Sequence, residues 1–345
     1  MVMCALQQDM EDRKAALTRW AVQRMGLSGG ELVPASSDAS FRRYFRLHTS
    51  SGSRIFMDAP PDKEDCRPFV AMAERLKKAG VHVPEVLAWD EAQGFMMLTD
   101  MGDCSYLQAF QGAASDGQKV HQMMEDAFAM LLRIQGMTSD AEAPCYDRER
   151  LQQEVELFPA WHVRRQLGQD WLPADEALWR SVMDVLLGAI ERQPRVWVHR
   201  DYHSRNLMMT SPNPGVLDFQ DALLGPVTYD AVSLLKDAYI EWDEERVIDW
   251  LVRYWEKARR AGIPVPMDFG AFYRDFEWMG VQRHLKVIGI FARLALRDGK
   301  QGYLRDVPLV SRHLLKTCRR YRELQPLAVW LERCWAVDKQ EGLTF

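Results

Sequence analysis

The chain has 345 residues, 47% of them hydrophobic and 27% charged, with a formal net charge of −5. That length suits two lobes or domains with sizeable cores, and the acidic balance excludes a general nucleic-acid binder, which is normally basic. No apolar run approaches membrane-spanning length, and the N-terminal MVMCALQQDMEDRK lacks a signal-peptide core, so a cytoplasmic protein with no membrane partner is expected.

Residues 10 to 25 have helical spacing, with Leu17, Trp20, Ala21 and Met25 on one face and Gly26 as the stop. Strands are expected over Glu31 to Pro34, Tyr44 to His48 and Arg54 to Met57. ASSDASFRR joins the first two, and its Ser37, Ser40 and Arg43 are candidates to cradle phosphates through hydroxyl, backbone N–H and positive charge. Cys66 to Lys78 reads as a helix burying Phe69, Val70, Ala73 and Leu76. Strands at Glu85 to Trp89 and Gly94 to Thr99 run into Asp100-Met101-Gly102-Asp103, a turn whose Thr99 and Met101 could face a nucleotide base.

Beyond a polar stretch, His121 to Met137 and Asp175 to Arg192 are expected helices, with a weaker candidate at Glu154 to Gln166, interrupted at Pro159. Further helices are expected at Tyr229 to Ile240, Glu244 to Ala261, Phe269 to Arg297, Leu309 to Arg322 and Pro326 to Val337. Arg283, Lys286, Arg293 and Arg297 share one helical stripe, which most often means a solvated face. The six cysteines are scattered without a CxxC pair, as reduced thiols would be.

The most informative stretch is RVWVHRDYHSRNLMMTSPNPGVLDFQD, residues 195 to 221. A short strand leads into a polar loop, a second strand, a Pro-Gly turn and a third strand ending at Asp218. The spacing His-Arg-Asp-x-x-x-x-Asn followed by Asp-Phe is a phosphoryl-transfer template. Asp201 would accept or orient the proton of an attacking hydroxyl. Asn206 and Asp218 offer oxygen ligands suited to magnesium. His203, Arg205 and Asp221 stand near enough in sequence to contact an acceptor, and Arg283 could meet a carboxylate on it.

His199 to Asn206 together with Leu217-Asp218-Phe219-Gln220-Asp221 resembles the aminoglycoside phosphotransferase family of small-molecule kinases. The resemblance spans nearly the whole chain. It implies an α+β, two-lobed protein-kinase-like fold: a small antiparallel sheet lobe at 1–100 that binds nucleotide, and a larger, mostly helical catalytic and substrate-binding lobe at 101–345. It further implies ATP and Mg2+ as cofactors, Asp201 as catalytic base, and Asn206 and Asp218 as metal ligands. More narrowly, SFRRYFRL, IFMDAPP, LDFQDALLGPVTYD and QRHLKVIGIFARL are similar to bacterial kinases acting on the anomeric hydroxyl of N-acetylmuramate and N-acetylglucosamine. That likeness implies a small-molecule amino sugar as partner, with no obligate protein partner.

Two departures stand out. Gln220 replaces the glycine of Asp-Phe-Gly with no Ala-Pro-Glu segment after it, which points away from protein substrates. Asp58 stands where a third-strand lysine would pair with the nucleotide phosphates and a helix glutamate such as Glu74, so either Arg43, Arg46 or Lys63 supplies the cation or magnesium carries more of the phosphate charge. The alternatives are another small-molecule kinase acting on an aminoglycoside, choline or homoserine, and a kinase-like module without activity.

Overall fold

The computed structural model describes residues 2–27, 29–37, 41–50, 52–113, 116–139 and 143–341. The chain divides into two compact units, Met1–Ser105 with Leu207–Asp221, and Tyr106–Asn206 with Ala222–Phe345.

The first unit is built on a five-stranded antiparallel sheet. A helix, α1 (Val2–Met25), precedes strands β1 (Val33–Ser37), β2 (Arg43–Thr49) and β3 (Gly52–Asp58); helix α2 (Arg67–Lys78) then leads to β4 (Val86–Asp90) and β5 (Phe95–Thr99). The order is β1-β2-β3-β5-β4. Leu17, Trp20 and Ala21 of α1 are buried with Phe45, Leu47, Phe56 and Phe95 of the sheet, the face the helical spacing picks out. Trp20 meets Phe56 edge-on at 6.1 Å and Phe95 at 6.0 Å, the offset geometry aromatic quadrupoles favour. On α2 the buried stripe is Phe69, Met72, Ala73 and Leu76; Met72, one turn before Leu76, takes the place expected of Val70. The hairpin Leu207–Met208 with Gly215–Val216 is tied to this unit by Val216 N donating to His82 O (2.8 Å) and Met209 N to Cys104 O (2.9 Å).

The second unit is mostly helical and centres on the helix Phe269–Arg297. From Phe276 to Ala295 nearly every residue of it is buried, polar ones included, so its neighbours cover it all round. Gly289 permits one of these contacts: a Cβ there would lie 2.5 Å from the carbonyl carbon of Leu157. Leu157 precedes a π-helical segment, Phe158–Gln166, so the weak candidate helix is in fact Arg148–Val155 followed by a wider turn carrying Pro159. Among the described residues, elements beyond the sequence reading are the helix Tyr106–Gly112, the strand Leu223–Pro226 and the 3-10 turns Gln301–Asp306 and Arg322–Leu324. The strand pairs antiparallel with Arg195–Val198, Val198 opposite Leu223, so both flanks of the central motif are pinned in one ribbon. Among the described residues no helix is long and apolar enough to cross a membrane.

Candidate active site

In the second unit, the ribbon ends at Val198 and the polar loop begins. The backbone must reverse sharply there: Arg200 has φ 77°, a left-handed conformation unusual for a side chain of this size. A buried carboxylate enforces it. Asp230 Oδ2 accepts from His199 N at 2.7 Å and Oδ1 from Arg200 N at 3.0 Å. Burial pushes the Asp230 carboxyl up to about 7, against the pull of those two N–H donors and of Arg283. Further along, Asp237 accepts from Ser204 N at 2.9 Å and from Tyr239 N at 3.1 Å. That demand also explains why the helix expected to reach Ile240 stops at Leu235: Asp237 and Tyr239 are needed as loop anchors. Tyr202 points inward and donates to Ala127 O at 2.7 Å.

Held this way, Asp201 projects a partly exposed carboxyl, 38% accessible. Two residues of the long helix's basic stripe are not solvated. Arg283 and Lys286 are both buried, whereas Arg293 is intermediate and Arg297 exposed. Arg283 Nη1 donates to Arg200 O (2.8 Å) and Tyr229 OH (3.2 Å) and stands 3.9 Å from Asp201 Oδ1. Lys286 Nζ reaches Tyr229 OH and Glu154 Oε1, each at 3.0 Å, and Glu154 Oε1 also takes Arg200 Nη2 at 2.6 Å. Tyr146 closes the network on the other oxygen of Glu154. Burial draws the Asp201 carboxyl upward, but Lys286, Arg283, His203 and Arg200 outweigh it and hold the group well below the usual carboxylate range. Asp201 is therefore an ionised hydrogen-bond acceptor at any ordinary pH.

The other predicted residues of this unit fall around it. Asn206 donates its Nδ2 to the Asp201 carbonyl at 3.0 Å, so its amide oxygen is the atom with metal-ligand chemistry. His203 is half-buried with its ring edge toward Tyr239, and burial lowers its pKa. Arg205 lies flat on Tyr239, its guanidinium carbon 3.6 Å from the ring centroid.

The first unit holds the remaining candidates. Asp218 has φ 62° and accepts from Gln220 Nε2 at 2.8 Å, while Phe219 packs on Phe69 at 4.9 Å. The residue that replaces the usual glycine thus orients the carboxylate beside it. Asp221 is exposed. Thr99 Oγ1 accepts from Glu85 N, the residue before β4, at 2.9 Å, and Met101 is buried. The side chain of Ser37 and the whole of Ser40 lie outside the described residues.

Asp58 is held by arginines of its own unit. Register places it directly opposite Arg43. Its carboxylate is fully buried and bonded on one oxygen by Arg13 Nε (3.0 Å) and on the other by Arg43 Nε (3.0 Å). Arg43 also donates to Met10 O at 3.1 Å. Arg46 is paired with Asp100 at 2.6 Å, Lys63 is exposed over Phe41, and Glu74 is exposed. At the third-strand position there is thus a carboxylate clamped by two guanidiniums.

Asp230 and Glu154, which hold the loop backbone and the Arg200–Lys286 pair, were not singled out from the sequence, where they look like ordinary helix acids. Residues 31–264 match the model of the phosphotransferase enzyme family. An N-acetylmuramate/N-acetylglucosamine kinase of Pseudomonas putida is 50% identical over 298 residues, 86% of either chain. Another, from Neisseria meningitidis serogroup B, is 47% identical over 318 residues, 91% of this chain and 94% of the relative. A solved choline/ethanolamine kinase family protein from Mesorhizobium loti matches with a TM-score of 0.59 at 15% identity, over 93% of this chain and 99% of its own. An ADP-bound aminoglycoside phosphotransferase matches at 0.56 and 13% identity, over 86% and 97%. At such low identity these two structures speak for the fold alone.

Proposed function

The chain belongs to the phosphotransferase enzyme family, and from that premise we propose that it is an ATP-dependent kinase of N-acetylmuramate and N-acetylglucosamine. It places the γ-phosphoryl group on the C1 hydroxyl, giving the α-1-phosphate, in peptidoglycan recycling. The observation that carries this reading is an ionised Asp201 on a rigid loop, in a chain half identical to relatives of that name over most of its length.

Phosphoryl transfer asks mainly for positioning and charge. Asp201 takes the hydrogen bond of the C1 hydroxyl and aligns its oxygen for in-line attack. A carboxyl held so far down is a weak base, so orientation comes first and the proton leaves once the oxygen is bonding to phosphorus. Arg283 adds positive charge near the reacting oxygens. Asn206 and Asp218 are the proposed holders of magnesium, which when bound sets charge against the phosphate oxygens. One amide oxygen and one oriented carboxylate suit a hard ion that takes few protein ligands. Thr99, Met101 and the segment carrying Ser37, Ser40 and Arg43 are the proposed nucleotide contacts. Arg43 contributes charge there while its Nε and one Nη serve Asp58 and Met10. His203, Arg205 and Asp221 are the proposed acceptor contacts.

A cationic acceptor such as an aminoglycoside or choline would meet Arg283 and Lys286 beside Asp201, an unfavourable pairing. An ADP-coupled screen across amino sugars, aminoglycosides and choline tests the acceptor class. Turnover is expected with both N-acetylated sugars; turnover only with a cationic acceptor would overturn the proposal.

A further inference from the structure

Asp306 is the last residue of the 3-10 turn Gln301–Asp306 and the N-cap of the helix Val307–Arg320. An aspartate at that position ordinarily accepts from the first helical N–H groups, a contact worth about 1 kcal/mol of helix stability in general. Here no side-chain capping bond is made. The carboxylate is turned instead toward the catalytic loop, with Oδ2 4.0 Å from Arg205 Nη2 and Oδ1 3.7 Å from the exposed Arg305 Nε. Oδ2 is buried and has no hydrogen-bond partner. A buried carboxylate oxygen left in that state is costly unless something else uses it.

Arg205 is equally unsettled. Its guanidinium stacks on Tyr239 at 3.6 Å, and 4.0 Å is too long for a hydrogen bond to Asp306. Tyr239 in turn packs on Phe291, and Phe291 on Tyr303 of the turn that carries Asp306. The arginine thus has a rigid aromatic seat and a loose counter-ion. Beside it, the buried His203 Nδ1 also lacks a hydrogen-bond partner. These groups stand within four residues of Asp201 in the loop, or pack against that loop.

We propose that Asp306 is a specificity-determining residue that serves as Arg205's internal counter-ion, so that one site accepts both a carboxylated and a neutral amino sugar. With N-acetylmuramate, the lactyl carboxylate takes the forked donors of Arg205 and displaces the loose contact. With N-acetylglucosamine, which has no such group, Asp306 continues to neutralise the arginine. Asp306 acts through Arg205 and is a positioning residue, not a catalytic one. This inference rests on the two acceptors proposed above.

The test is kcat/KM for both sugars with the full chain, its Asp306→Asn and Arg205→Gln variants and the double variant. Asparagine is as good an N-cap as aspartate, so a purely structural Asp306 leaves the ratio of the two sugars where it was. The expected result for Asp306→Asn is a shift of roughly three- to tenfold in favour of N-acetylmuramate, through a lower KM for the acid. Arg205→Gln should shift the ratio the opposite way, and the double variant should match Arg205→Gln. Asp306→Ser, also a capping residue, repeats the test should the asparagine variant melt early. An unmoved ratio in both Asp306 variants, with both sugars still turned over, overturns this inference alone. A native chain that phosphorylates neither sugar overturns the function it rests on.

Discussion

Each unit of the molecule carries a carboxylate among arginines, and the two are treated differently. In the first, Asp58 is fully buried and each oxygen is saturated by a guanidinium of the fold itself. In the second, Asp201 is partly exposed, and its nearest cation stands 3.9 Å away, beyond hydrogen-bond reach. Charges held at that distance keep the group ionised without occupying its lone pairs. A carboxylate satisfied by its own chain holds a fold together; one kept charged at arm's length is available to a substrate.

The comparison breaks most readily at Asp201. Asp201→Asn should lower kcat about 10²- to 10⁴-fold with an unchanged circular dichroism spectrum; near-normal turnover would remove the residue from the mechanism. Asp230→Ala strips the acceptor from two buried N–H groups and should cost about 2–4 kcal/mol of stability, read by urea unfolding. Asp58→Ala should cost less, about 1–3 kcal/mol, because Arg13 and Arg43 are partly exposed and can rehydrate. Its kcat should fall far less than that of Asp201→Asn.

The pH dependence sharpens the same contrast. Because the Asp201 pKa is lowered in the folded chain, the carboxylate stays ionised as pH falls through the ordinary carboxylate range near 4. The stability linked to it is present above that unfolded value and is lost only as pH drops through the lower folded one. The kcat/KM profile should therefore show no acid limb from Asp201 above about pH 4. The smallest effect is expected at Gln220→Gly, which frees Asp218 Oδ1 from its 2.8 Å donor. A rise of roughly three- to tenfold in the magnesium concentration giving half-maximal rate would follow from losing one hydrogen bond.

Where local rules decide the outcome, the sequence was readable. The long helix was expected at Phe269 to Arg297 and is found there, since Asp268 caps it by accepting from Ala271 N at 2.8 Å. The motif's order along the chain gave the candidate site. What stayed hidden depends on packing. Arg283 and Arg297 share a stripe, and only the neighbours of the helix bury one and expose the other. Leu223–Pro226 is too short to declare itself without its partner at Arg195–Val198. Asp306 looks like any capping residue until its carboxylate is seen turned the other way.

The central claim is that the Asp201-aligned oxygen is the anomeric one, and a phosphorus-coupled proton spectrum of the product made from N-acetylglucosamine tests it directly. The account predicts that the anomeric proton is split by phosphorus in the α configuration. Splitting at the protons of any other carbon, with an uncoupled anomeric proton, would contradict it.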